Sequence, residues 1–102
     1  RVLERNVVAA ILLATSDRVD WMRNPVGLAV TDGRHIRYGC GGPGGSDLVG
    51  VVRSTGRAIF CEVKSATGRV RPEQQLFLDR MRASGALALV ARSVADVLEA
   101  LR

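Results

Sequence analysis

Ile59-Phe60-Cys61-Glu62-Val63-Lys64 is the stretch on which the fold turns. An apolar, β-prone run reads as a strand, and this one carries a single acid and a single base. Side chains alternate along a strand, so Glu62 and Lys64 share one face while Cys61 and Val63 point to the other. Taking a charged pair out of water without purpose is costly. Lys64 is also the only lysine: arginine supplies fourteen of the fifteen basic side chains. Arginine presents a rigid, delocalised fork, whereas lysine presents a compact point charge with rotatable donors. A GC-rich genome can produce the same bias towards arginine, so the singleton matters through its neighbours.

Outward from this strand the pattern continues on both sides. Leu48 to Arg53 and Arg57 to Lys64 read as two strands joined by Ser54-Thr55-Gly56. Before them, Gly39 to Ser46 holds five glycines and a proline in eight residues, which forbids regular structure. Val26 to Thr31 and Arg34 to Tyr38 are β-prone runs joined by Asp32-Gly33, a tight-turn signal. Val2 to Ala14 fits an amphipathic helix with Val2, Leu3, Val7, Ala10, Ile11 and Ala14 on one face, and the apolar run Val7 to Ala14 reads as its buried side. After the strand, Ser65 to Arg71 is a polar loop, and Pro72 suits the first turn of a helix running to Ala83. Ala86 to Ala91 lacks alternation, as expected of a strand covered on both faces. Ser93 is a candidate N-cap for a last helix with Val94, Val97, Leu98 and Leu101 inward. The order α-β-β-β-β-α-β-α predicts an α/β fold, a small mixed sheet flanked by helices.

The chain's 102 residues suit a single domain, 1–102, and the 47% of apolar residues suffice for a core. No apolar run reaches the roughly 18 residues needed to span a bilayer. The two cysteines, Cys40 and Cys61, lack disulfide-framework or metal spacing and fit a reducing, cytoplasmic setting. A net charge of +5 and a pI near 10.6 favour a polyanionic partner. The glycines are not followed by Gly-Lys-Ser/Thr, which argues against a P-loop; a backbone that must approach something closely is the better account.

Three features carry chemistry: Asp47 directly after the glycines, the Glu62/Lys64 pair, and Gln74 one turn into the following helix. Each has an ordinary reading alone: a turn aspartate, a surface ion pair, a solvated helix residue. Together they place two hard oxygen donors and one cation on adjacent elements, which suits Mg²⁺ or Mn²⁺. His35 reads as a hairpin surface residue.

At this point the residues resemble a known family. Gly41-Gly42-Pro43-Gly44-Gly45-Ser46-Asp47-Leu48, then Ile59 through Arg69, then Pro72-Glu73-Gln74-Gln75-Leu76-Phe77 resemble the PD-(D/E)xK nuclease superfamily. Within it they are similar to the VRR-NUC (virus-type replication-repair nuclease) domain. Trp21 to Gly27 and Gly85 to Ala91 are also similar to that family's corresponding regions. The resemblance implies a restriction-endonuclease-like core. It implies that Asp47, Glu62 and the Val63 backbone carbonyl are metal ligands, that Lys64 is the catalytic lysine, and that Gln74 supports the site. Glu4 falls where the family has an acid on its first helix and is a further candidate metal ligand. Ser46 stands where the superfamily's name has proline. Arg23, Arg69 and Arg71 are candidates for contact with DNA.

The implied activity is Mg²⁺- or Mn²⁺-dependent hydrolysis of DNA, selective for branched substrates such as four-way (Holliday) junctions and carried out by a homodimer. The alternatives are a nucleic-acid-binding module that has lost catalysis, or a nuclease domain belonging to a larger replication, repair or restriction protein.

Overall fold

A computed structural model describes residues 3–102. Val2, placed on the first helix's inner face by the sequence pattern, lies outside them. The elements are α1 (Glu4–Thr15), β1 (Val19–Arg23), β2 (Gly27–Thr31), β3 (Arg34–Tyr38), β4 (Leu48–Val52), β5 (Ala58–Val63), α2 (Pro72–Ala83), β6 (Leu87–Ala91) and α3 (Val94–Ala100). One 3₁₀ turn, Gly42–Gly44, forms inside the glycine-rich segment where no regular structure was expected.

The main sheet has the order β1-β4-β5-β6, with β5 and β6 parallel and the other pairs antiparallel. It is the mixed sheet flanked by helices that the sequence predicts. The alternation of β5 divides the interior. Ile59, Cys61 and Val63 join Val7 and Ile11 of α1, Val97 of α3, Leu48 and Ala91 in the larger core. Phe60 points the opposite way and meets Phe77 of α2 edge-to-face at 5.4 Å between ring centroids, beside Leu78 and Ala88. Burying a side chain such as Ile59 or Leu48 is worth about 1.5–3 kcal/mol, so β5 is anchored from both sides. β6 is covered likewise: Leu87, Leu89 and Ala91 face the larger core, and Ala88 and Val90 face α2.

The structure departs from the sequence pattern in four places. It adds a strand, β1, at the edge of the main sheet. Val19 and Trp21 turn inward while Asp20, Met22 and Arg23 stay exposed; with only two apolar contacts in five residues, the alternation is weak. Trp21 sits opposite Gly50, where a Cβ would lie 2.7 Å from the Asp20 carbonyl and 3.0 Å from the indole. Its Nε1–H donates to Thr15 Oγ1 at 2.7 Å, and that buried hydroxyl donates to the Ile11 carbonyl. Second, β2 and β3 form a separate two-stranded sheet outside the main one. Asp32 and Gly33 both have positive φ, as a type I′ hairpin turn requires. Third, the buried face of α1 is Val7, Ile11 and Thr15, while Leu3, Ala10, Leu13 and Ala14 are exposed, because helical spacing of four from Val7 sets the stripe. Fourth, Ser93 makes no side-chain cap and Leu98 is exposed; Asp96 instead accepts from the Arg92 N–H at 2.8 Å.

Candidate active site

The two acids meet through strand register. β4 and β5 pair antiparallel with Leu48 opposite Cys61, so Asp47, one residue before β4, falls opposite Glu62. Asp47 Oδ2 accepts the backbone N–H of Val63 at 2.8 Å, which fixes its carboxylate across the strand pair. Two glycines let the preceding loop reach this point. A Cβ on Gly45 would collide with the Cys40 carbonyl, and one on Gly44 would collide with the Glu73 carbonyl at the start of α2.

Glu62 is buried, 3% exposed, and sits on the α2 side of β5 with Lys64. Its Oε2 accepts from Gln74 Nε2 at 3.1 Å and faces Lys64 Nζ at 3.4 Å. Its Oε1 has no hydrogen-bond partner and is the one buried side-chain polar atom so left among the described residues. Burial, followed by the negative charge of Asp47, pushes the Glu62 carboxyl up to about 7, while Lys64 pulls the other way. An acid so perturbed beside a charge partner is a candidate functional residue. The same carboxylates and, above all, burial push the Cys61 thiol up to about 12, leaving it an inert core side chain.

α2 separates its two glutamines. Gln74 is buried, with Oε1 accepting from the Arg71 N–H at 2.9 Å at the helix start and Nε2 on Glu62. Gln75 is exposed and bonds Asp79 on the outer face. Glu4 is exposed in the first turn of α1 and lines a cleft with Arg23, Asn24 and Asp47. Arg71 lines the adjoining cleft with Asp47, Gln74, Leu28 and Arg37, and pairs with Glu73 at 3.1 Å. Arg69 is exposed on the loop after β5, and His35 lies exposed on β3. Among the described residues, no three His, Cys, Asp or Glu side chains gather closely enough to hold an ion. A cation at Asp47 and Glu62 therefore needs backbone, water or phosphate oxygens as well. The donor set fits that case: opposed hard carboxylates, one with an unpartnered oxygen. A larger cleft, about 710 Å³, lies elsewhere, between α1, residues 65–67 and the start of α3, and no acid lines it among the described residues.

Two positioning residues carry no clear sequence signal. Asn24 donates from Nδ2 to the Cys40 and Ser46 carbonyls at 2.8 and 2.9 Å, and its Oδ1 accepts the Cys40 N–H at 2.7 Å. Its backbone N–H donates to the Asp47 carbonyl at 2.8 Å. One amide therefore ties both ends of the glycine loop, a use that depends on having donors and an acceptor on one head group. Arg92 donates to the Ser65 and Gly68 carbonyls at 2.6 and 2.8 Å and holds the loop after Lys64.

The VRR-NUC domain family model matches residues 29–95. The chain belongs to the VRR-NUC domain family. This nuclease-type domain contains Asp47, Glu62, Lys64 and Gln74 within the matched span, while Glu4, Arg23 and Asn24 precede it. A solved structure titled "VRR_NUC domain" is similar in fold, with a TM-score of 0.66 and 21% identity, covering 96% of this chain and 92% of that one. No curated protein sequence matches the chain. No helix among the described residues of this VRR-NUC domain is long and apolar enough to cross a membrane.

Proposed function

We propose that residues 1–102 form one VRR-NUC-type domain acting as a metal-dependent DNA endonuclease, with Asp47, Glu62 and the Val63 carbonyl holding Mg²⁺ or Mn²⁺. The observation that carries this reading is the Glu62 carboxylate, buried beside Lys64 with Oε1 unpartnered. A buried polar atom left unpaired costs about 1–3 kcal/mol, and a cation shared with Asp47 would relieve it. When bound, such an ion supplies a water of lowered pKa and offsets charge on the scissile phosphate.

The chain's own residues do the rest. Asp47 is pinned through Oδ2 by the Val63 N–H, which leaves Oδ1 as the oxygen it would offer to the ion. Gln74 holds the Glu62 carboxylate by one oxygen, so that the other keeps a fixed direction. Lys64, 12% exposed, keeps its ammonium against Glu62 on the same strand face; there it orients the attacking water or stabilises charge developing on the phosphate. Glu4 contributes an outer oxygen, most simply through water, since it is exposed beside Asp47. Arg23 and Arg71 flank Asp47 in the two clefts and, with Arg69, contact the DNA backbone. The favoured substrate is branched DNA such as a four-way junction, a two-fold target suited to a homodimer.

Cleavage of a four-way junction, a flap and a plain duplex in Mg²⁺, Mn²⁺ or EDTA tests this directly. Wild type is expected to cut the branched substrates only with metal, and Lys64→Ala and Glu62→Gln to cut none. Equal cleavage by wild type and Lys64→Ala would refute the site assignment; binding by all without cleavage would favour a non-catalytic binding module.

A further inference from the structure

Among the described residues the β2–β3 hairpin packs extensively on no other element, and every residue from Leu28 to Tyr38 is exposed. Leu28, Val30, Ile36 and Tyr38 are between 47% and 65% exposed. A two-stranded hairpin is marginal in water by itself, and exposed apolar side chains on both its faces mark it for a partner.

Strand register shows what each face offers. Leu28 lies opposite Arg37 and Val30 opposite His35 on one face; Ile36 and Tyr38 share the other with Arg34. Both faces thus combine apolar side chains with cations, and the hairpin's one acid is Asp32 at its turn. A two-fold self-contact sets a patch against its own copy, which here would bring arginines together with little to neutralise them. A polyanion with apolar base and sugar surface complements the same mixture. Continuity also favours nucleic acid. Leu28 and Arg37, directly opposed in the hairpin, line the same cleft as Asp47 and Gln74, so one face of the hairpin runs out of the catalytic cleft.

We propose that the β2–β3 hairpin is a DNA-gripping wing. Entering a groove of the arm that leaves the cleavage site as a two-stranded ribbon, it sets Arg37 with Leu28 and Val30 towards one wall and Arg34 with Ile36 and Tyr38 towards the other, the arginines on phosphates and the apolar side chains on sugars and bases. This rests on the nuclease reading and adds where the substrate lies relative to it. The test is fluorescence anisotropy of a labelled four-way junction in Ca²⁺ across a salt series, with wild type and Arg34→Gln/Arg37→Gln. Each lost phosphate contact lowers the slope of log affinity against log salt by about 0.9, so the double variant is expected to lower it by about two units. An unchanged slope and affinity would overturn the proposal. Light scattering of Val30→Ser/Ile36→Ser supplies the second arm: a dimer falling to monomer would identify the hairpin as a self-association surface and overturn it as well. Failure of the nuclease reading is a separate result, visible as wild type cutting no substrate in Mg²⁺ or Mn²⁺ while the anisotropy remains readable.

Discussion

Gln74 Nε2 holds Glu62 by Oε2 alone, at 3.1 Å, and leaves Oε1 of the same buried carboxylate without a partner. A helix residue thus sets the direction of a strand residue's free oxygen. On the proposed reading Glu62 is a metal ligand, and partners that orient metal ligands in this way are worth about 10–100-fold in metal affinity or activity.

Gln74→Ala is accordingly expected to lower cleavage by about 10–100-fold, with apparent Mg²⁺ affinity falling in parallel. It also removes the acceptor for the Arg71 N–H at the start of α2, a loss of about 1 kcal/mol in folding stability. Gln75→Ala, on the exposed face, should change neither. Metal titrations of cleavage rate for both variants, with urea unfolding, check this; equal losses in the two would rule out the role assigned to Gln74.

The Glu62 carboxyl gives the metal-free protein a pH signature. Its ordinary value is 4.5 and burial raises it to about 7 in the folded state. Between these values the folded protein retains a proton that the unfolded chain has released, so stability falls as pH rises through the window. At 1.36 kcal/mol per unit the loss is of order 3 kcal/mol. Melting temperatures in EDTA from pH 4 to 8 should decline for wild type and stay flatter for Glu62→Gln. A wild-type curve that rises across this range would contradict the assignment.

Asn24→Ala deletes three side-chain hydrogen bonds to the loop that presents Asp47. At about 0.5–1.5 kcal/mol each, a loss of about 2–3 kcal/mol in unfolding free energy is expected, together with a fall in kcat. Asn24→Asp keeps the acceptor for the Cys40 N–H but loses both donations, so it should resemble alanine rather than wild type. Wild-type kcat in Asn24→Asp would show that the loop does not need the clamp.

Lys64→Arg tests the lone lysine. Lys64 is largely enclosed, with its ammonium 3.4 Å from Glu62 Oε2, and a planar fork cannot take the place of that compact charge. Cleavage is expected to fall by about 100-fold, in the range typical of a lost charge-stabilising donor, while binding of the same junction in Ca²⁺ stays near wild type. Near-normal cleavage would reduce the singleton to a compositional accident.

Much of the site is legible in sequence because strand and helix periodicity are local. Alternation alone puts Glu62 and Lys64 on one face and Cys61 and Val63 on the other, and the two cores show that division. β1 is harder to see, since only Val19 and Trp21 of its five residues turn inward and Trp21 depends on Gly50, twenty-nine positions away. The separation of β2–β3 from the main sheet has no local signal either, because β-propensity does not say which sheet a strand joins.

The sequence by itself determined the order of the elements other than β1, the shared face of Glu62 and Lys64, and a backbone stripped of side chains ahead of Asp47. Only the tertiary structure decided that Asp47 comes opposite Glu62, that Asn24 ties the glycine loop, and that one Glu62 oxygen is left free. The reason is physical: side-chain direction follows from neighbouring residues, whereas pairing register, burial and the pKa they impose arise from segments far apart in the chain and exist only once these have packed.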